Sequence, residues 1–534
     1  MQKYVINNIK LPYRTSKDAA LTIAEKALLK FFSKKSIASL YVSKRSLDAR
    51  KRENISFVYS VTAEIEGGRE IAEQKLLAAG ISAVKEEALS PDFGDEEMQG
   101  RPVIVGFGPA GMFCALMLAE HGYRPIVLER GGDIAERERA VEKFLSDQVL
   151  DESNNIQFGA GGAGTFSDGK LVTRINDKKC AYVLKTLVEL GAPESVLYES
   201  KPHVGTDILK TVVTNMRARL EALGAEIRFN TKFTGFTSSL GRVTKIATDK
   251  GELECPLLVL ALGHSARDTF EMLMEKELPF SPKAFSVGVR IEHLQEEIDK
   301  GLYGSAAGAP LLPKGEYNLS HREGERGAYT FCMCPGGTVM AAASEAGGVV
   351  TNGMSRHARD GRNANAAVAV SILPGDFGAS AKGAIEFQRA LERKAFALGG
   401  KNYYAPAQTV GDFLGGKKGT MPTKVEPTYM NGKVTMADMH ELLPPFASKL
   451  LENGLRDFGR KLPGYDAPYA MLTGIESRTS SPVRILRGED CTALGFENIY
   501  PCGEGAGYAG GITSAAVDGI NSAMHIMAKY KAKN

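Results

Sequence analysis

Three glycines in residues 101–131, RPVIVGFGPAGMFCALMLAEHGYRPIVLERG, have the spacing of a nucleotide-binding turn. Gly106, Gly108 and Gly111 form the pattern G-x-G-x-x-G, which permits a sharp turn, a close approach of backbone to a pyrophosphate and tight packing of the next helix. Glu129 follows Gly111 by 18 residues and can accept hydrogen bonds from both ribose hydroxyls. These residues predict a dinucleotide site, and an acid at position 129 favours FAD or NAD over NADP.

The neighbouring sequence supplies the elements that must hold this turn. An apolar strand is predicted over 103–105, a helix over 112–119 and a second strand that ends in Glu129. Glycine spacing alone is weak evidence because a chain with 58 glycines produces chance matches, but the strand–turn–helix–strand context is specific. Pro109 and Ala110 of the turn and Arg130 after the second strand are therefore also predicted to contact the cofactor.

A second glycine-rich segment, QFGAGGAGTFSDGKLVTR, begins at residue 157. So many glycines in one loop indicate backbone that passes close to a flat or phosphorylated group. A flexible linker is the alternative, but linkers rarely contain the apolar residues that flank this segment. The cofactor contacts predicted here are Gly161, Gly162, Gly164 and Thr165.

Two later segments return to the same predicted sheet. The apolar strand 257–262 runs into Gly263 in the sequence LLVLALGHSARD. The strand 499–502 is followed by CGEGAGYAGGITSA, in which a helix is predicted to begin near Gly511. No second G-x-G-x-x-G follows a strand, so the sequence predicts one dinucleotide site, with further contacts at Gly503, Glu504, Gly510, Gly511 and Ile512.

As a set, these segments resemble the FAD-contacting motifs of the glutathione-reductase-like flavoproteins. Their order and the long N-terminal extension resemble a bacterial family of FAD-dependent dehydrogenases, and the resemblance extends over the whole chain. It implies noncovalent FAD, with the pyrophosphate at the first glycine turn and the adenosine ribose at Glu129. Glu504 stands where such proteins usually have Asp at the ribitol or pyrophosphate, and the helix from Gly511 would point at the pyrimidine edge of the flavin.

The predicted fold class is α/β. Residues 1–90 have the strand–helix–strand–strand–helix–strand pattern of a ferredoxin-like domain, and 91–100 form a polar linker. A Rossmann-like FAD-binding domain is split between 101–270 and 481–534. Residues 271–480 are predicted to form an α+β substrate or cap domain inserted between its two parts.

Candidates for substrate chemistry have weaker support, and no catalytic residue is assigned from the sequence. Cys332 and Cys334 form a Cys-x-Cys motif that could be a redox pair or could place one thiol near the flavin. A disulfide across this spacing would be strained, which favours two buried thiols. Arg290 precedes Glu292 on a predicted strand and could bind a carboxylate or form a structural ion pair.

Two further candidates follow segments of the FAD motifs. His264, with Arg267, comes after the ALG strand and could face the cofactor or cap the next helix. Arg478 in GIESRTSSP could bind an anionic substrate through a bidentate contact. No CxxxxC pair follows the first strand–helix unit, which disfavours a disulfide reductase of that type. NADH or NADPH, if used, must bind transiently in the substrate cleft, and no metal site is predicted.

Composition describes an ordinary globular chain of 534 residues, with 43% hydrophobic residues and a net charge of +3. No signal peptide or membrane-spanning segment is found, and seven thinly spread cysteines fit reduced thiols, so we expect a cytoplasmic protein. The expected partner is a small organic substrate.

Residues 1–60 carry 13 Lys and Arg against 4 Asp and Glu, which leaves open an RNA-modifying flavoenzyme. Phe57 and Tyr59 are the aromatics that could stack on bases, but they share a strand face with Ile55 and Val61, as in a protein core. A solvated basic hairpin that packs on an acidic neighbour is therefore favoured over nucleic-acid binding. A non-catalytic FAD-binding redox sensor is the remaining alternative.

Overall fold

The computed structural model describes residues 1–67, 71–84 and 89–532. The chain is a mixed α/β protein built around a parallel sheet near the middle of the sequence and a larger, mainly antiparallel sheet formed later in the chain. In the described residues, no helix is both long enough and apolar enough to cross a membrane.

The N-terminal region forms a four-stranded antiparallel sheet with two helices. The predicted element order is observed, and the strands lie in the spatial order second, third, first, fourth. Phe57 and Tyr59 are buried in the core between this sheet and its helices, so they cannot stack on bases. The strands are Gln2–Pro12, Ile37–Asp48, Ser56–Ile65 and Ile81–Val84, and the helices are Asp18–Leu28 and Glu73–Ala78.

The basic hairpin between the second and third strands docks on the following domain. The Arg45 backbone N–H donates to the Tyr198 carbonyl oxygen at 2.6 Å, and the Arg45 side chain pairs with Glu199. Lys44, Arg50, Lys51 and Arg52 remain exposed. The hairpin therefore combines a solvated basic tip with one acidic contact, as the favoured interpretation of the sequence predicts.

Residues 91–100 do not run free as a linker. Glu96–Glu97 pairs in parallel with Tyr530–Lys531, and Met98 is buried in the core beside the parallel sheet. The Gly94 N–H also donates to the Met527 carbonyl oxygen at 2.8 Å. Composition cannot show this arrangement because the partner strand lies more than 400 residues later in the chain.

The parallel sheet has five strands, and its central strand is Val103–Val105. Short apolar strands on both sides of it are buried, as expected for a parallel sheet covered on both faces. All of its strand pairings are parallel. In spatial order the strands are Ile499–Pro501, Leu258–Leu260, Val103–Val105, Ile126–Leu128 and Glu226–Arg228.

Helices and a small antiparallel sheet complete this domain. Pro109–Glu120 is buried on every side from Ala110 to Ala119, and it packs so closely on Ile512–Lys529 that a Cβ at Gly519 would lie 2.1 Å from the Ala110 carbonyl oxygen. The other helices are Ile134–Asp147, Lys179–Glu189, Thr206–Ala222 and Arg267–Glu275, and the small sheet contains Phe233–Ser239, Arg242–Thr248 and Gly251–Glu254.

The larger sheet has seven strands, and every residue of Phe285–Leu294 near its centre is buried. Its spatial order is Ser320–Glu323, Arg326–Cys334, Asn363–Ile372, Phe285–Leu294, Met471–Glu476, Ala405–Thr409 and Val434–Met436. The helices in this part of the chain are Gln295–Tyr303, Ala381–Leu398, Val410–Leu414, Met439–Leu442 and Pro445–Lys461. Two-stranded sheets pair Phe280–Pro282 with Val483–Ile485 and Thr338–Ala341 with Thr351–Met354.

Candidate functional site

A cavity of about 350 Å³ lies at the carboxyl ends of the central parallel strands and extends to the larger sheet. Ligands of open α/β sheets bind at this edge because loops and helix N-termini converge there. Most of the predicted cofactor contacts line the cavity: Gly106, Gly108, Pro109, Ala110, Glu129, Arg130, Gly162, Gly164, Gly263, Glu504, Gly510, Gly511 and Ile512. The candidates His264, Cys332 and Arg478 line it as well.

The three glycines of the first turn differ in what surrounds them. Gly106 has a φ of +107°, and a Cβ there would lie 2.4 Å from the Ala261 carbonyl oxygen. A Cβ at Gly111 would lie 1.9 Å from the Gly106 carbonyl oxygen, whereas one at Gly108 would have no neighbour closer than 3.9 Å. Gly106 and Gly111 therefore keep the backbone compact, and Gly108 keeps the cavity open.

Four predicted cofactor contacts do not line the cavity, namely Gly111, Gly161, Thr165 and Gly503. Gly111 packs on the turn itself, and a Cβ at Gly161 would lie 2.1 Å from Thr165 Oγ1. Thr165 is buried and donates to the Ala160 carbonyl oxygen, while the Gly503 N–H donates to Asp518. These residues shape the loops behind the cavity wall, a distinction that glycine spacing cannot make.

Glu129 is buried and already holds three backbone amides. Its Oε1 accepts from Gly131 and Gly159, and its Oε2 accepts from Phe107 at 2.9 Å. A carboxylate has about four lone-pair positions, so one position on Oε2 remains for a ligand. The structure therefore leaves one acceptor position on Glu129 for a ligand, fewer than the two that the predicted contact with both ribose hydroxyls requires.

Two helix N-termini without a side-chain cap face the cavity. Gly108 caps Pro109–Glu120 and Gly511 caps Ile512–Lys529, and neither N-terminus receives a hydrogen bond from a capping side chain. The first N–H groups of a helix lack partners within that helix and carry partial positive charge. Both ends therefore offer hydrogen-bond donors to an anionic ligand.

The glycine-rich loop is held in place by Arg137, which sequence reasoning missed. Arg137 is fully buried, although it belongs to the highly charged helix Ile134–Asp147. Its guanidinium donates to the carbonyl oxygens of Asn155, Ile156 and Ala160. Its position on the same helix face as Val141 and Phe144 was the available signal.

The carboxyl group of Glu504 faces the cavity, and no hydrogen bond to it is found among the described residues. Burial raises the pKa of Glu504 to about 7, although Lys283 acts in the opposite direction. An incompletely satisfied carboxyl group at this position fits a ligand hydroxyl. Arg130, by contrast, already pairs with Asp268 and lies over the ring of Phe158.

Arg290 does not line the cavity and cannot bind a substrate carboxylate. It is fully buried, and its five N–H groups are all engaged. It forms a bidentate ion pair with Glu476 at 3.0 Å and also donates to the Cys332 carbonyl oxygen, Asn365 and Asn352. The structural ion pair is therefore made with Glu476, and Glu292 instead accepts from Thr428 and Asn363.

A buried charge cluster joins the two sheets beside His264. Glu392 accepts from Arg267 and Arg478, and the Ser477 hydroxyl donates to it at 2.6 Å. Burial alone would raise the pKa of Glu392, but the two guanidinium groups lower it below its usual range. Arg478 therefore makes its bidentate contact with Glu392, where the sequence suggested an anionic substrate.

His264 is neutral at the edge of this cluster. Burial, reinforced by Arg478 and Arg267, lowers its pKa to about 3. Its Nδ1 lies 3.0 Å from the Ser265 hydroxyl. His264 can therefore act as a neutral hydrogen-bonding group in the cavity wall.

The end of the cavity at the larger sheet contains residues that the sequence did not single out. Asp168 and Lys170 form an ion pair at 2.9 Å, and Asp168 also pairs with buried Arg359. Asn352 presents its amide group to the cavity while its Oδ1 accepts from Arg290. Asp168 and Lys170 come directly after the glycines of the glycine-rich loop, and this position in the sequence could have indicated them. Nothing in the sequence around Asn352 indicates a place in the cavity wall.

The cavity wall fits FAD on two observations. Backbone at Gly108, Gly263, Gly510 and Gly511 leaves open space where a side chain would stand. The two uncapped helix ends and the carboxyl group of Glu504 offer hydrogen-bonding groups that the described residues do not fully satisfy. These are the features expected of a wall shaped for a ligand that carries both phosphates and hydroxyl groups.

Part of the chain is similar to a family of FAD-dependent proteins. Residues 284–479 match the family model described as "FAD-dependent protein, C-terminal domain-like". Residues 1–64 match a model described as a domain of unknown function.

The relationship extends over the full chain in one curated relative. A Clostridium beijerinckii protein described as "Uncharacterized protein" is 47% identical over 536 residues, which cover 98% of this chain and 98% of that protein. The chain belongs to the same protein family as this relative.

Among solved structures, the similar chains include a deaminase and a dehydrogenase. L-amino acid deaminase from Proteus vulgaris has a TM-score of 0.33 at 11% identity, with 84% of this chain and 97% of that chain covered. L-proline dehydrogenase from P. horikoshii has a TM-score of 0.31 at 12% identity, with coverages of 81% and 93%. At TM-scores of this size, the likeness supports no conclusion about substrate or reaction.

Proposed function

We propose that this protein is an FAD-dependent oxidoreductase that transfers a hydride between a small organic substrate and noncovalently bound FAD. The observation that carries the proposal is the single cavity that joins the open glycine turn at Gly108, the helix end at Gly511 and the polar end beside Asn352 and Arg478. The match of residues 284–479 to an FAD-dependent family supports the choice of cofactor. Membership of the glutathione-reductase-like superfamily is part of the same proposal.

In this proposal the chain binds, orients and shields the cofactor, and FAD supplies the hydride chemistry at N5 of its ring. The free N–H groups after Gly108 donate hydrogen bonds to the phosphates. The remaining lone pair of Glu129 accepts a hydrogen bond from one ribose hydroxyl. The helix that begins after Gly511 stabilises negative charge on the reduced ring. Glu504 accepts or donates a hydrogen bond at a ligand hydroxyl.

The substrate in this proposal occupies the end of the cavity at the larger sheet. Asn352 offers amide N–H donors there because its carbonyl oxygen is engaged by Arg290. Thr479 and Arg478 also line this end. An organic substrate with oxygen acceptors fits this wall, and burial of the site keeps water away from the reacting atoms.

The test is purification of the full chain followed by absorbance spectroscopy and chromatographic identification of any released flavin. We expect one FAD per chain and its anaerobic reduction by NADH, NADPH or an organic donor. A colourless protein that cannot be reconstituted with FAD would refute the proposal. Bound FAD that no donor reduces would favour a redox sensor instead.

A further inference from the structure

Cys332 occupies the cavity wall, and Cys334 lies directly behind it. Cys332 is half-buried and lines the cavity together with Glu476 and Asn352, whereas Cys334 is fully buried. Cys332 is close enough to Glu504 to contribute to the raised pKa of that carboxyl group. The pair therefore lies where the proposed cofactor site meets the proposed substrate site.

The backbone at Cys332 has an unusual conformation that the surrounding structure supports. Cys332 has a φ of +45°, and the pairing of Arg326–Cys334 with Asn363–Ile372 shifts by one residue between Phe331 and Cys334. The Cys332 carbonyl oxygen accepts from Arg290 Nη1 at 2.9 Å. Left-handed backbone costs a non-glycine residue about 1–3 kcal/mol and concentrates at functional sites, as bulges do.

The Cys334 thiol donates to the backbone carbonyl oxygen of Cys332 at 3.3 Å, so the two cysteines are in direct contact. The neighbouring Cys334 thiol lowers the pKa of Cys332, which Arg290 and Lys170 lower further, while burial and Glu476 act in the opposite direction. The neighbouring Cys332 thiol, together with burial, raises the pKa of Cys334. A thiol with a lowered pKa in a cavity wall, next to a second thiol on the same strand, is the arrangement of a reactive dithiol.

The other five cysteines do not share these features. Cys114, Cys180, Cys255, Cys491 and Cys502 do not line the cavity. Burial raises the pKa of each of these thiols. Geometry and charge therefore both single out Cys332, and Cys334 is the thiol next to it on the strand Arg326–Cys334.

We propose that Cys332 and Cys334 form a redox-active dithiol that exchanges two electrons with FAD bound in the cavity, an inference that rests on the proposed function. Oxidation forms one S–S bond between the two sulfurs and breaks both S–H bonds. The two electrons and two protons released pass to FAD, which becomes FADH2, and the reverse reaction restores both thiols. The strain expected of a disulfide across this spacing makes it easily reduced.

The test is an anaerobic reductive titration of the FAD-bound full chain with dithionite, combined with thiol counting. We expect the oxidised protein to take up about four electrons per FAD, two for the flavin and two for the disulfide. Alkylation under denaturing conditions followed by peptide mass spectrometry should find Cys332 and Cys334 blocked before reduction and both labelled after it. Cys180→Ser is the matched control, and it should behave like the wild type because Cys180 lies outside the cavity.

Two variants guard against an effect of misfolding. Cys332→Ser should take up about two electrons per FAD and should show no change in thiol number. Cys332→Gly should give the same result, and glycine adopts a φ of +45° without strain, so unfolding cannot explain the loss.

The possible outcomes separate the inference from the proposed function. A wild type that binds FAD, takes up two electrons and keeps both thiols free in its oxidised form would overturn the dithiol and leave the flavoenzyme standing. A protein that neither binds FAD nor is reconstituted with it would overturn the proposed function and the electron exchange together.

Discussion

Gly108→Ala should weaken FAD binding without harming the fold. Apart from the residues next to it in the sequence, the added Cβ would have no protein atom closer than 3.9 Å. The φ angle at this position is −87°, which alanine adopts freely. The reduced entropy of the unfolded chain offsets the poorer helix cap, so the free energy of unfolding should change by less than about 1 kcal/mol. The methyl group instead occupies the space that a pyrophosphate needs.

The expected loss of affinity follows from the hydrogen bonds displaced. Moving a phosphate away from one helix N–H removes a charge-assisted hydrogen bond worth about 1.5–3 kcal/mol, or about 10- to 150-fold in Kd. The assay is fluorescence titration of the flavin-free protein with FAD, accompanied by urea unfolding of the same preparation.

Gly375→Ala is the matched control for this variant. A Cβ there also meets nothing within 4 Å, and Gly375 lies outside the cavity wall. Its Kd for FAD should equal that of the wild type. A folded Gly108→Ala protein with unchanged affinity would refute the placement of the phosphates at this turn.

Two further predictions concern buried carboxyl groups. Glu392→Gln should destabilise the protein by about 3–5 kcal/mol in urea unfolding because it leaves two guanidinium groups poorly compensated. Glu386→Gln on the same helix should cost less than about 1 kcal/mol because its ion pair is exposed, and equal effects would contradict the argument. Glu504 has a folded-state pKa raised from 4.5 to about 7, so its contribution to stability is fully present below pH 4.5 and is lost as the pH rises through about 7. In the flavin-free protein, Glu504→Gln should remove this decline in the free energy of unfolding, and an unchanged pH profile would count against the raised pKa.

Local sequence carries much of the nucleotide-binding half of the site. The strand 103–105, its glycine turn and Glu129 lie within 31 residues, so short-range spacing suffices to predict their geometry. The later segments at Gly263 and Gly511 could be predicted only because apolar strands precede them. Occupied lone pairs on Glu129 could not be predicted, since the Phe107 and Gly159 amides reach it through the folded loops.

The substrate half of the site depends on contacts between distant residues. Arg290 was placed beside Glu292, its neighbour on the strand, but its ion-pair partner is Glu476, 186 residues away. Arg478 likewise pairs with a residue far away in the sequence, namely Glu392 on the helix Ala381–Leu398. Period-two patterning identifies a strand face but contains no information about which strand lies opposite, so these pairings require the fold itself.

The parallel sheet is assembled from segments far apart in the chain, and this sets the order in which the protein can mature during synthesis. Its first strands, Val103–Val105 and Ile126–Leu128, are made early, but the edge strand Ile499–Pro501 and the helix Ile512–Lys529 follow almost 400 residues later. Until that helix emerges, the buried helix Pro109–Glu120 has one apolar face uncovered. Nearly the whole chain must therefore be synthesised before this helix is covered, and apolar surface that stays exposed during that interval is prone to aggregation.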